Sequence, residues 1–364
     1  MRRKLVDRVI TTLSWVPSER AGIPFAVILV LLPVVYLTYT ESRLSPSAQH
    51  VVEDRADLVR DDDDEEEAVV IPDDKDDPAR IRFARMAEDL QYAAQQYVAR
   101  TSAQVAIHIK DLSGGYEWSY HADDLFPSAS LIKVPIMIGV MEKINNGELS
   151  LNSRLKLSRR NRMGGSGRIK WKRDGTRFTV RALLDKLIHN SDNTAMRILL
   201  NEVGVGYMQN QFPRMGLVYT ELYPEGLSLQ SGRVRYENYT TAREMTFLME
   251  KVYRGQMVTR FASELMLEIL KGRYPRRYRL AKKLPAGWSI AHKTGLLRRA
   301  CHDSGVIFSP QGDYAVTVLT GRNRGYGEAK EFISQLGVIT FKYYQSDLGL
   351  YAKAPGESSG TAAP

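Results

Sequence analysis

A serine is a weak nucleophile near neutral pH until a base takes its proton, so a serine one helical turn ahead of a lysine is a pair equipped for covalent chemistry. Ser130-Leu131-Ile132-Lys133 is such a pair. Leu131, Ile132, Val134 and Pro135 surround it with apolar surface that would desolvate the Lys133 ammonium and lower its pKa. A helix beginning there would also aim backbone N–H groups at a developing oxyanion. Further along stand Ser191-Asp192-Asn193 and Lys293-Thr294-Gly295. Ser191 can relay a proton to a leaving nitrogen, and Asn193 can hydrogen-bond a substrate amide. Lys293 and Thr294 on an edge strand can hold a substrate carboxylate, and Gly295 leaves room for a substrate backbone. Ser-x-x-Lys alone turns up about once by chance in a chain of this size. All three motifs in this order do not.

These residues need elements to hold them. The apolar spacing of Ile81, Phe83, Met86, Leu90 and Tyr97 predicts a helix over Arg80–Arg100. Alternation from Val105 to Ile109, then the turn at Asp111–Gly115 and the run Tyr116–Tyr120, predicts a β-hairpin. A long apolar helix is expected from near Ser130 to Ile144, with Thr179 as the N-cap of a helix through Leu187. A turn at Asn190–Asn193 leads into a helix through Leu200, and further helices are expected over Ala242–Tyr253, Ser263–Leu270 and Gly327–Tyr344. Trp288–Lys293, Ser304–Phe308 and Tyr314–Leu319 read as strands. Strands at both ends with helices between them imply an α+β domain whose two ends share one antiparallel sheet.

Composition narrows the rest. The net charge of +9 hides an acidic block, Asp61 to Glu67 with Asp73, Asp74, Asp76 and Asp77, so the remaining chain is more basic than the total. Basic clusters at Arg159-Arg160, Arg168–Arg173 and Arg273–Lys283 suit an anionic polymer or lipid surface; they lack the interleaved aromatics of single-strand readers, and no nucleic-acid partner is expected. A single cysteine, Cys301, excludes an intramolecular disulfide and reads as a packed strand residue. His292 beside Lys293, and His302 beside Asp303, invite a triad or metal reading, but the six histidines lack ligand spacing, so neither metal nor cofactor is expected. At the N-terminus, Arg2, Arg3, Lys4, Arg8 and Arg20 precede an apolar run from Ala21 to Leu37, with Tyr36 and Tyr39 at its far end. The expectation is a cytoplasmic segment 1–20, a transmembrane helix 21–39, with a cleaved signal peptide as the alternative reading of the apolar run, and an acidic extended tether 40–79. A domain over 80–348 and a polar tail over 349–364 follow. The domain would face the extracytoplasmic, periplasmic side of the inner membrane on a single-pass anchor.

With these motifs in place the chain resembles the penicillin-recognising serine enzymes, and within them the class A β-lactamase family. Met163-Gly164-Gly165-Ser166-Gly167, Asp174-Gly175-Thr176 and Ser191-Asp192-Asn193-Thr194-Ala195 add to the likeness, which runs from about Arg80 to Leu348. The resemblance implies a β-lactamase/transpeptidase-like fold, an antiparallel sheet flanked by helices with an all-helical lobe, and the site at their junction. By the same carry-over, Ser130 is the acylated nucleophile, Lys133 its base or proton relay and Ser191 the donor to the leaving group. Lys293 and Thr294 bind the substrate carboxylate. The family's Glu-Pro-Glu-Leu-Asn loop, whose first glutamate activates the deacylating water, has no match. The corresponding stretch is Thr220-Glu221-Leu222-Tyr223-Pro224-Glu225-Gly226-Leu227-Ser228, where Glu225 is the nearest carboxylate and Glu221 the other choice. Slow deacylation is therefore expected. Arg298 or Arg299 is a further choice for a carboxylate partner. The substrate is expected to be a β-lactam or a cell-wall peptide. Alternatives are a D-alanyl-D-alanine peptidase or related cell-wall transacylase, and a non-catalytic domain that binds wall peptide. The oligomeric state is left open.

Overall fold

The structure is a computed structural model that describes residues 77–223, 237–272 and 278–345. Helix α1 (Pro78–Thr101) starts where proline is tolerated, in the first helical turn, and Asp77 caps it by accepting the Ala79 N–H at 2.9 Å. The last aspartate of the acidic block, Asp77, is thus a helix cap, and the expected helix over Arg80–Arg100 starts two residues earlier. The hairpin follows as β1 (Gln104–Asp111) and β2 (Glu117–Tyr120), then a short strand β3 (Phe126–Pro127). A 3₁₀ turn over Ala129–Ile132 leads into α2 (Lys133–Asn145), so Ser130 sits in the tighter turn and the α-helix proper begins at Lys133. Strands β4 (Arg154–Lys156) and β5 (Arg177–Thr179) pair with each other. They lead to α3 (Val180–His189), capped by Thr179, then α4 (Asn193–Val203) and α5 (Val205–Arg214). Strand β6 (Tyr239–Thr240) precedes α6 (Ala242–Tyr253) and α7 (Arg260–Lys271). The chain ends in β7 (Ser289–Leu297), β8 (Ala300–Phe308), β9 (Tyr314–Gly321) and α8 (Tyr326–Tyr343).

The main sheet runs β2-β1-β9-β8-β7, antiparallel throughout, with β7 at the edge. The sheet therefore unites the first and last strands, as the sequence pattern implies. Both faces are covered, and β9 at its centre is buried along its whole length. On one face α1 and α8 pack through Phe83, Met86, Leu90, Phe332 and Ile333, with the Tyr97 and Phe332 rings stacked at 4.1 Å. The other face meets the helical lobe, whose centre is α2. Nine consecutive residues of α2, Lys133 to Met141, are buried. A helix apolar on every side is stable only when enclosed, and α2 is the post around which α3, α4 and α5 gather.

Three departures from the sequence reading have physical causes. No element is expected from the sequence over α5, which carries Gly204 at its start and Pro213 inside it, yet Met208, Gln211 and Phe212 recur at helical spacing and are buried. Strand β8 begins at Ala300, four residues before the predicted start, because its polar stretch Cys301–Ser304 is wholly buried and not solvent-facing. Helix α7 begins at Arg260, where Thr259 accepts the Ala262 N–H. The expected membrane helix over 21–39, most of the tether, the tail 349–364 and Glu225 lie outside the described residues. Among the described residues no helix is long and apolar enough to cross a membrane.

Candidate active site

The Ser130 turn is pinned from two sides. Strand β3 pairs with β6, and the Ser128 N–H donates to the Asn238 carbonyl at 2.6 Å. From the sheet, His302 on β8 reaches Pro127 O with Nε2 at 2.8 Å while its Nδ1 accepts from the Thr320 N–H at 3.2 Å. That pattern requires the neutral Nε2–H tautomer, and complete burial drives the His302 pKa down to about 4. His302 is thus a neutral strut between sheet and turn, not a ligand or a triad base. Gly295 on β7 lies against the same turn: a Cβ there would stand 3.2 Å from Ala129 Cβ and 3.0 Å from His302 Cδ2. On the side where a Cβ would stand, Gly295 is therefore packed against the protein's own turn. Ala129 adopts φ 50°, a conformation unusual outside glycine, immediately before the nucleophile candidate.

Lys133 ties the motifs together. Its Nζ lies 3.3 Å from Ser130 Oγ, 3.0 Å from Ser191 Oγ, and 2.6 Å from both the Ser191 carbonyl and Asn193 Oδ1. The side chain is 1% exposed, and burial brings its pKa from 10.5 to about 7, with the Asp192 carboxylate opposing that shift. The amine is therefore available as a free base near neutrality. Lys293, also 1% exposed, approaches Ser191 from the sheet at 3.1 Å and donates to the Thr294 carbonyl at 2.6 Å. One hydroxyl, Ser191 Oγ, thus bridges two lysines that are 160 residues apart in sequence. Ser191 itself has φ 50°, held there by the loop between α3 and α4. Asn193 spends one end on Lys133 and the other on the Gly164 carbonyl at 3.0 Å.

Asp192 holds this loop and was not singled out from sequence. It is buried, caps α4 through the Ala195 N–H at 3.0 Å, and accepts the Arg168 and Ile169 N–H groups at 2.8 and 3.0 Å. Gly167 is the complementary requirement: φ is +97°, and a Cβ would come within 2.1 Å of the Asp192 carboxyl carbon. The signal for both was present, in the middle letter of Ser-Asp-Asn and the last glycine of Met163–Gly167.

A pocket of about 150 Å³ opens on Ser130 and Lys133, walled by Gly165, Ser166, Asn193 and, at the end of β7, Leu296 and Leu297. Glu237 also lines it, and sequence reading missed this residue. Glu237 stands two residues before β6, accepts the Asn238 N–H at 2.9 Å, and burial raises its pKa. Its only sequence signal is its place just before the strand that clamps the Ser130 turn. Of the two carboxylates expected from sequence, Glu221 is exposed and does not line this pocket. Thr294 lines a separate cavity of about 1010 Å³ along the free edge of β7, together with Asn190, Lys271, Tyr278 and His292. There His292 Nδ1 meets the buried Asp303 carboxylate at 2.9 Å. Arg298 and Arg299 are exposed at the β7–β8 turn, outside the pocket lining. Cys301 is fully buried in β8. Among the described residues no group of three or more His, Cys, Asp or Glu could hold a metal ion.

Comparison with known proteins gives a consistent result. The family model described as the beta-lactamase enzyme family matches residues 88–344. Beta-lactamase VEB-1 of Pseudomonas aeruginosa is 25% identical over 238 residues, 60% of this chain and 78% of that protein. A beta-lactamase of Streptomyces albus G is 27% identical over 234 residues, 61% of this chain and 74% of that protein. Among solved structures, a beta-lactamase of Sphaerobacter thermophilus superposes with a TM-score of 0.65 at 24% identity, covering 70% of this chain and 96% of that one. The structure of PBP-A superposes with a TM-score of 0.63 at 24% identity, covering 70% and 94%.

Proposed function

The chain belongs to the beta-lactamase enzyme family, a serine hydrolase acting by an acyl-enzyme mechanism, and from that premise we propose that it acylates Ser130 with β-lactams and opens the ring. The observation that carries this reading is Lys133, a buried amine with a pKa of about 7 placed 3.3 Å from Ser130 Oγ. The neutral amine takes the Ser130 proton as Oγ bonds to the lactam carbonyl carbon. The proton then travels through Ser191 Oγ to the lactam nitrogen as the C–N bond breaks. The Lys133–Ser191–Lys293 chain of hydrogen bonds supports that relay. Lys293, joined to Ser191, supplies positive charge for the substrate carboxylate.

Release of the acyl group needs a base for water. Glu237 is the described carboxylate that lines the Ser130 pocket, and partial burial holds its pKa up, which strengthens it as a base. Glu225, the sequence candidate, stays in contention through its place in the chain alone. Stopped-flow hydrolysis of a chromogenic cephalosporin by the parent, Glu237→Gln and Glu225→Gln decides between them. The base is the residue whose loss leaves acylation intact and slows deacylation by about 10²–10⁴-fold. Failure of the parent to form any adduct would overturn the assignment of function.

A second reading, a D-alanyl peptidase or wall transacylase, is favoured by the absence of the Glu-Pro-Glu-Leu-Asn loop and by the fold likeness to PBP-A. A long-lived acyl-enzyme and release of D-alanine from an acyl-D-Ala-D-Ala peptide would select it. Under either reading the basic flank and apolar run before residue 40 support an inner-membrane anchor with the domain on the extracytoplasmic side. Protease added to intact spheroplasts should digest the domain; full protection would reverse that topology.

A further inference from the structure

Between β4 and α3 the chain makes an excursion whose basic side chains the chemistry above does not use. From Arg154 to Arg177 it carries ten lysines and arginines and one carboxylate, Asp174. That carboxylate is already taken. Arg162 pairs with it at 2.5 Å and also donates to the carbonyls of Lys170 and Lys172, so this one arginine staples the excursion to itself. Arg159, Arg160, Arg168, Lys172 and Arg173 are exposed and make no ion pair among the described residues. A fold gains nothing from concentrating like charge this way, since the mutual repulsion is destabilising. In their midst Trp171 is 78% exposed, with the Lys170 ammonium 5.2 Å from its ring centre. It is the only large apolar side chain exposed in the excursion. The surface adjoins the cleft: Gly165 and Ser166, within the same excursion, wall the Ser130 pocket.

We propose that this lobe docks on an acidic glycan, a linear chain of sugar rings bearing carboxylate or phosphate groups. Unpaired guanidinium and ammonium groups match a polyanion, with affinity that salt weakens. A single flat exposed aromatic suits stacking on one sugar ring. A bilayer would call for several apolar side chains, and single-stranded nucleic acid for a series of aromatics on which successive bases stack. The position beside the cleft would hold the enzyme on the polymer near its acyl substrate. That last consequence rests on the acyl-transfer reading, whereas the docking itself does not.

Affinity electrophoresis of the full-length chain through gels containing oligogalacturonate tests this, with neutral dextran as the control. The parent should be retarded by oligogalacturonate alone, and the retardation should fall about tenfold or more between 50 and 200 mM salt. Arg159→Glu/Arg160→Glu together should weaken binding at least about tenfold, and Trp171→Ala measurably, while both variants acylate with a small penicillin at the parental rate. Absence of retardation, or variants that bind like the parent, would overturn the proposal. So would tighter binding to phosphatidylglycerol vesicles or to a single-stranded oligonucleotide. A variant with Asp61–Glu67 replaced by Ser and Gln should bind oligogalacturonate within about twofold of the parent. A gain beyond tenfold would mean that the chain's own acidic run fills the lobe, and the proposal would fall. Because acylation is measured separately, loss of adduct formation with intact glycan binding would count against the enzymatic reading alone.

Discussion

The acylation rate should follow the ionisation of Lys133. Taking the lysine from its ordinary 10.5 to about 7 corresponds to about 5 kcal/mol of preference for the neutral amine inside the lobe. With that pKa the free base is about 1% of the enzyme at pH 5, about half at pH 7 and nearly all of it at pH 9. Acylation under single-turnover conditions should therefore rise about tenfold per pH unit below 6 and level off above 8. The assay is quenched-flow labelling with a fluorescent penicillin from pH 5 to 10, read by intact mass. Lys133→Arg, which stays protonated throughout, should lose the rise and at least about 10³-fold of the plateau rate. Stability gives an independent readout with a definite sign. Because the folded-state pKa lies below the unfolded one, the unfolded chain binds an extra proton between pH 7 and 10.5. The Lys133 contribution should then raise unfolding free energy with pH across that window, a slope that Lys133→Met removes. An acylation rate flat from pH 5 to 8, or one still climbing tenfold per unit above pH 9, would refute the reasoning.

Asp192→Ala removes a helix cap and the acceptor of two further N–H groups, one buried and one partly buried, and should cost about 2–4 kcal/mol by denaturant unfolding; Asp192→Asn, which still caps, should cost less. Gly167→Ala puts a methyl group onto the Asp192 carboxyl and should destabilise by about 2–4 kcal/mol in the same assay, lowering acylation as well. Lys293→Ala should raise KM for a carboxylate-bearing cephalosporin at least about tenfold, and a decarboxylated analogue should show a smaller change.

Much of this arrangement was legible in the residues because each piece is local. Thr179 as a cap, the alternation of Val105 to Ile109, and the three motifs are short-range signals, and the structure joins the motifs at Ser191 Oγ. What was not legible is long-range. His302 looks like a catalytic or metal residue in sequence, yet its meaning depends on Pro127, 175 residues away. Glu237 carries no motif and matters only through the β3–β6 clamp that sets it beside Ser130. The packing of Gly295 against Ala129, 166 positions earlier in the chain, is likewise invisible locally. The hidden helix α5 shows the opposite limit, where local breaker residues were overridden by burial of Met208 and Phe212 against α2 and the lobe.

The most direct test of the account is intact-mass analysis of the full-length chain after brief exposure to benzylpenicillin, beside Ser130→Ala treated alike. The account predicts a stoichiometric mass increase equal to the whole drug on the parent, mapped by peptide digestion to the segment containing Ser130 and absent from Ser130→Ala. Equal labelling of Ser130→Ala, or no adduct and no hydrolysis by the parent at pH 8, would contradict it.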